Sequence, residues 1–227
     1  MPVVAAAVCP HPPILVPELA FGAAPELDQL RAACLAAIDR LSSASAVVVV
    51  GSGVAGTYGG SAGGGFGAYG APDVRIGSGP VVLPLSLSVG GWLLEQSKAA
   101  ALPRTYLAVP PDESPQRCRE LGQEIADGNE LIGLLVMGDG SARRSDHAPV
   151  HLHPRAEIFD TTVATALQYR DLDVLAALDP DLAADLQAAG RAPWQVLAGA
   201  LASTALTPDL TYNAAPYGVG YFVASFT

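Results

Sequence analysis

Four short apolar segments, which alternate along the chain with segments of helical periodicity, constrain the fold of this chain most. Residues 3–8, 46–50, 104–109 and 131–137 are short, rich in valine or leucine and bounded by proline, glycine or polar residues. Such runs indicate strands that are buried on both faces, as in a parallel sheet. Between the first two, residues 27, 30, 34, 38 and 41 form one apolar helical stripe within 25–41. Further helices are predicted at 115–127, 157–167 and 193–205, with a shorter one opening at Asp179-Pro180.

This alternation predicts an α/β fold: a single three-layer domain, residues 1–227, with a mostly parallel central sheet flanked by helices. Residues 81–88 show an extended pattern and 91–101 a helical one. Two late strands are expected at 210–215 and 219–226, around the turn Pro216-Tyr217-Gly218.

Composition narrows the class of protein. The chain has 227 residues, of which 50% are hydrophobic and 15% charged, enough for a substantial buried core. A formal charge of −10 would repel nucleic acid and anionic membrane surfaces. No apolar run approaches the roughly 20 residues of a membrane span, and the start, Met1 to Val4, has no basic segment. We therefore expect a cytoplasmic protein without nucleic-acid or membrane partners, and a homo-oligomer is left open.

Polar residues follow two of the predicted strands. His11 lies among prolines directly after the first strand, and Asp139 and Ser141 follow the fourth. Ligands of open α/β sheets bind in the crevice beyond the carboxyl ends of the strands. His11 and Asp139 are therefore candidates to face one pocket. The alternative is a histidine at a rigid turn whose ring nitrogens bond to backbone.

The second strand is followed by Gly51-Ser52-Gly53-Val54-Ala55-Gly56, which matches the GxGxxG pattern of dinucleotide sites. That pattern requires a helix whose N-terminus faces the pyrophosphate. Residues 57–70 contain too many glycines to hold a helix. A flexible loop over the edge of the sheet is the favoured interpretation.

Other candidate side chains lie between residues 139 and 153. Ser141, Asp139 and His147 offer the residue types of a hydrolytic triad, although the GxSxG pattern is absent. His151 and His153 alternate by two and could join His11 in a zinc site, or they are surface histidines on a connection. Arg143 and Arg144 could clamp a carboxylate or phosphate, or be solvated.

Several motifs, in order along the chain, resemble the class III extradiol ring-cleavage dioxygenases, the family typified by the β-subunit of protocatechuate 4,5-dioxygenase. The matching segments are 10–18 (PHPPILVPE), 137–141 (MGDGS), 148–149, 153–157 (HPRAE), 159–160, 190–194 (GRAPW), 199–201 and 215–221 (APYGVGY). The resemblance spans nearly the whole chain. It implies cleavage of a catecholic ring at a non-haem Fe(II), and it makes Tyr217 a candidate ligand contact.

The resemblance also implies an iron site of two histidines and one carboxylate, with a further histidine as acid and base. His11 matches the first ligand. Residues 51–70, where the second histidine is expected, contain none; Gln187, Ala188 and Ala189 stand where the carboxylate is expected, with Asp185 the nearest acid. Ala142 follows Ser141 in place of the acid–base histidine.

These departures predict a divergent, non-catalytic relative that keeps a cleft for a small ligand or a partner chain near His11 and Asp139. The alternative is an active metalloenzyme, with Fe(II) or zinc held by relocated ligands among His11, His151, His153 and Asp139.

Overall fold

The computed structural model describes residues 3–227, so Met1 and Pro2, part of the start used to predict location, lie outside the described residues. The described chain contains nine strands and eight α-helices. The strands are β1 Val3–Cys9, β2 Ala46–Ser52, β3 Gly56–Gly59, β4 Gly64–Phe66, β5 Ala71–Ile76, β6 Arg104–Val109, β7 Ile132–Met137, β8 Pro208–Ala214 and β9 Tyr221–Phe226. The helices are α1 Pro17–Ala20, α2 Asp28–Asp39, α3 Leu85–Glu95, α4 Pro115–Ala126, α5 Ala156–Tyr169, α6 Leu172–Ala176, α7 Pro180–Asp185 and α8 Arg191–Leu201.

Seven strands form the central sheet, in the order β3-β6-β2-β7-β1-β9-β8. The pairs β1–β7, β7–β2 and β2–β6 are parallel, whereas β3–β6, β1–β9 and β9–β8 are antiparallel. Only β3 and β9 therefore run against the other five strands. The predicted mixed α/β fold with a mostly parallel central sheet is confirmed, and β4 and β5 form a separate antiparallel pair.

Alternate residues of the central strands belong to two different hydrophobic clusters, because side chains alternate between the faces of a strand. Val8 and Val136 pack in one cluster with buried residues of α4 to α8. Cys9 and Met137 pack in the other with α2 and α3. Residues of β7 are buried along the whole strand, as expected for a central strand covered on both sides.

The region after β2 differs from the prediction in its strands. The glycine-rich segment is not one flexible loop: it contributes β3, an edge strand paired with β6, and the β4–β5 pair. No helix follows Gly51–Gly56, so the helix N-terminus that a dinucleotide site requires is missing there.

Helix α3 begins at Leu85, inside the stretch 81–88 predicted to be extended, and ends before Ala101. The alternation Leu85-Ser86-Leu87-Ser88 imitates the period of a strand. Both serines are nevertheless buried, and their hydroxyls donate to backbone, Ser86 to Ser52 O at 2.7 Å and Ser88 to Leu83 O at 3.3 Å. These bonds satisfy the polar atoms that would otherwise oppose burial of this helix.

Within the described residues, no helix has the length and apolarity needed to cross a membrane.

Candidate functional site

The sheet topology places His11 and Asp139 at one crevice. Strands β1 and β7 are neighbours, with Cys9 opposite Met137 in parallel register, so their carboxyl ends coincide. From β1 the chain continues to α2 in one hydrophobic cluster, whereas the helices before and after β7, α4 and α5, belong to the other. Neighbouring strands whose connections leave toward opposite faces create the crevice in which doubly wound folds bind ligands.

His11 and Asp139 are in direct contact there. The His11 backbone N–H donates to Asp139 Oδ1 at 2.7 Å, and His11 Nδ1 lies 3.7 Å from the same oxygen. The imidazole is 10% exposed and the Asp139 side chain 15% exposed. His11 Nδ1 is sealed from solvent without a hydrogen-bond partner. The predicted juxtaposition of these two residues is therefore present, and both side chains retain a narrow access to solvent.

Burial raises the pKa of the Asp139 carboxyl, while the adjacent His11, through its charge and its backbone N–H, acts in the opposite direction. Tyr221, the first residue of β9, is only 2% exposed. Burial raises the pKa of the Tyr221 phenol, and the charge of Asp139 raises it further. The site thus combines the side chains of Asp139, His11 and Tyr221, and the Tyr221 phenol stays protonated at neutral pH.

The turn before β9 is hydrogen-bonded to two other segments near the site. Tyr217 Oη donates to Glu26 Oε2 at 2.8 Å, which ties the turn to the segment before α2. This hydrogen bond raises the pKa of the Tyr217 phenol. Gly140 N–H donates to Gly220 O at 2.7 Å, and Gly220 N–H donates to Ser141 O at 3.0 Å. The predicted ligand contact Tyr217 therefore lies on a turn that is bonded to the loop after β7.

Ser141 and His147 do not form a triad with Asp139. Ser141 is fully buried, and its hydroxyl donates to Leu186 O at 3.2 Å and accepts from Arg143 N–H at 3.1 Å. His147 is exposed and makes no hydrogen bond with Ser141 in the described structure. The Ser141 hydroxyl is thus committed to backbone partners, which gives it a structural role.

The two arginines are engaged within the protein rather than forming a joint clamp. Arg143 donates from Nε to His151 O and from a terminal nitrogen to Asp185 O, each at 2.8 Å. Arg144 donates to Asp160 Oδ2 at 3.0 Å. Although they are adjacent in sequence, the two guanidinium groups bind different partners.

The residues predicted as metal ligands do not come together in one site. Within residues 3–227, no three side chains of His, Cys, Asp or Glu are grouped so that they could hold a metal ion. His151 is exposed, and His153 Nδ1 accepts from Arg155 N–H at 3.2 Å on the loop before α5. Asp185 lies 3.8 Å from Arg155, directed to the surface. The donor set at the crevice is one imidazole and one carboxylate, which does not fit the two-histidine, one-carboxylate site of Fe(II) oxygenases.

Comparisons with known proteins report on the fold alone. No family model matches the chain, and no curated protein does either. A solved structure described as the crystal structure of uncharacterized protein JW3007 from Escherichia coli K12 is similar. Its TM-score is 0.57 at 14% sequence identity, over 98% of this chain and 99% of that one. The similarity therefore concerns the fold, over nearly the full length of both chains.

A cavity of about 490 Å³ opens at the same edge of the sheet. Pro111 and Asp112 from the loop after β6 line it together with α7 and the segment 187–189 that follows it. Gly190, the next residue, donates its N–H to Asp139 O at 2.8 Å. The same short segment thus borders this cavity and fixes the backbone of Asp139.

Glu26, Tyr221 and Asp160 are site residues that the sequence patterns do not single out. Glu26 lies 191 residues from its partner Tyr217, and no local pattern connects the two. Tyr221 and Asp160 stand in matched segments of the family resemblance. A buried acid on the apolar stripe of a helix is the one signal that could have singled out Asp160.

Proposed function

We propose that this protein is a divergent, non-catalytic relative of the class III extradiol dioxygenases that binds a small hydroxylated aromatic molecule at His11 and Asp139. We further propose the single three-layer domain of that family. The two hydrophobic clusters, with α4 to α8 in one and α2 and α3 in the other, support this arrangement.

The contact between His11 and Asp139 at the crevice, without the rest of a metal-ligand set, carries the proposal. A catechol offers two adjacent hydroxyl donors and a flat apolar ring. The Asp139 carboxylate accepts only from the His11 N–H in the described structure, so one of its oxygens remains to accept from a ligand hydroxyl. Hydrogen bonds to a charged, partly buried acceptor are the stronger ones, about 1.5–3 kcal/mol each.

The chemistry of ring opening needs a metal that binds catecholate and oxygen together. Two histidines and one carboxylate on one face retain Fe(II) and leave these positions open. Here the position expected for the second histidine lies in the segment of β3 to β5, and the one expected for the carboxylate holds Gln187 to Ala189. We therefore assign binding, not oxygenation, to the site.

Calorimetric titration of the purified protein with catechol and 3,4-dihydroxybenzoate tests the proposal, with resorcinol as the ligand control. We expect saturable binding of the 1,2-diols that weakens at least tenfold in His11→Ala and in Asp139→Asn. Asp209→Asn is the matched control, because Asp209 is exposed in β8 and is level, through Ser225 of β9, with Ala7 in the middle of β1 rather than with the strand ends at the site.

An oxygen electrode, with Fe(II) added to the same protein, tests the absence of catalysis. Catechol-dependent oxygen uptake that His11→Ala abolishes would establish the metalloenzyme alternative instead. Failure of every 1,2-diol to bind at millimolar concentration, or equal binding by wild type and His11→Ala, would refute the proposed ligand site.

A further inference from the structure

Asp160 is a carboxylate buried behind the loop that carries Asp139. It lies in α5 and is 1% exposed. Its Oδ1 accepts from the backbone N–H of Ser141 at 2.8 Å, and its Oδ2 accepts from Arg144 at 3.0 Å. Both partners belong to the loop 138–144 that begins directly after β7 and carries Asp139.

The surroundings of this carboxylate are shaped to receive it. A Cβ atom on Gly140 would lie 2.6 Å from Asp160 Oδ1, and one on Gly220 would lie 2.2 Å from Oδ2. Neither position tolerates a side chain while the carboxylate is in place. The group therefore occupies a slot between the loop 138–144 and the turn 215–220.

The slot joins α5 to the loop 138–144 and to the turn 215–220, and the loop and the turn are also hydrogen-bonded to each other. Arg144 N–H donates to Gly218 O at 2.9 Å, and Gly140 and Ser141 are hydrogen-bonded to Gly220. The turn 215–220 carries Tyr217 and leads into Tyr221. Release of the carboxylate would remove the acceptor of a buried backbone N–H at Ser141, and an unsatisfied buried group of this kind is costly.

We propose that Asp160 is the positioning residue of the site: by accepting from Ser141 and Arg144 it fixes the loop that aims the Asp139 carboxylate at the crevice. That Asp139 is positioned in order to bind a ligand rests on the proposed function. The contacts themselves stand without it, and the experiment below measures the loop in the absence of any ligand.

Amide hydrogen exchange in the full chain at pH 7.5 provides the test, with protection factors compared between residues 139–144 and the strands β2 and β6. In Asp160→Ala we expect protection at 139–144 to fall at least tenfold further than protection in the two strands. Asp160→Asn keeps an oxygen for the Ser141 N–H, and we expect it to restore protection to within threefold of wild type. Glu157→Gln is the matched control, since Glu157 is 79% exposed and lies 3.9 Å from the same arginine; we expect no change.

Three outcomes of the exchange measurement would overturn the inference: unchanged protection at 139–144 in Asp160→Ala, an equal loss in the loop and the strands, or no recovery in Asp160→Asn. Titration with 3,4-dihydroxybenzoate then follows. Weaker binding by Asp160→Ala, recovered in Asp160→Asn, is the result that we expect. Loop release without any ligand binding in wild type would refute the proposed function and leave the positioning of Asp139 intact, whereas unchanged affinity in Asp160→Ala would overturn the positioning role.

Discussion

The ionisation of Asp160 should make the folding stability of this protein depend on pH with a sign opposite to that of most carboxylates. Burial raises the pKa of Asp160 to about 6, against the pull of the Ser141 N–H and of Arg144 toward a lower value. The folded chain therefore binds this proton more tightly than the unfolded chain, whose carboxyl titrates near 3.8. Stability from this group is fully present below the unfolded pKa and is lost as the pH rises through about 6.

The magnitude follows from proton linkage. Between pH 7.5 and pH 5.0, tighter proton binding at Asp160 should stabilise the folded state by about 1.4 kcal/mol. Arg144 is the charged group that faces the carboxylate, with Glu157 on the far side of the guanidinium. Phe222, from β9, and the two glycines of the slot add no charge.

Urea unfolding at the two pH values, for wild type and for Asp160→Asn, measures this contribution. All other carboxyl groups titrate in both proteins, so the difference between their pH dependences isolates Asp160. We expect wild type to gain about 1.4 kcal/mol more than the variant on acidification. An equal pH dependence in the two proteins, or a larger gain by the variant, would refute the argument that burial outweighs the ion pair.

Two further predictions concern the packing of α4. A Cβ on Gly199 would lie 2.1 Å from Arg119 O where α8 crosses α4, so Gly199→Ala should destabilise the protein by about 3 kcal/mol in urea unfolding. In Gly128→Ala the nearest atom is 3.6 Å away, and this control should stay within about 0.5 kcal/mol of wild type. Ser114 caps α4 by accepting from Arg117 N–H at 3.2 Å; Ser114→Ala should lower the melting temperature, at a cost of about 1 kcal/mol, and Ser114→Asp should not.

The elements that could be predicted from the sequence are those whose burial and termination are both local. Strand β6 occupies the predicted range, because an apolar run ends at Pro110-Pro111, where the ladder loses its donors. Helix α4 begins at the predicted proline because Ser114 caps it. Helix α3 was misplaced because the decisive contacts of Ser86 and Ser88, to Ser52 and Leu83, depend on the tertiary fold.

The meeting of His11 with Asp139 follows from a simple rule. Both residues come two positions after buried strands, and parallel neighbours present their carboxyl ends at one edge. The rule does not extend to His151 and His153, which follow no strand and lie on a connection. Nor does it extend to Glu26, because a contact between a turn and a segment 191 residues away leaves no trace in local periodicity.

The position of Asp160 on α5 shows what a helical pattern can predict about a buried site residue. Its neighbours three and four positions on, Val163 and Ala164, are buried, so Asp160 falls on the apolar stripe of α5, while Ile158 is 67% exposed. An acid on such a stripe must find donors inside the protein, because an isolated buried charge is very costly. The pattern thus predicts that partners exist but not which ones they are. Those partners come from the loop after β7. The slot that holds the Asp160 carboxylate requires glycine at positions 140 and 220.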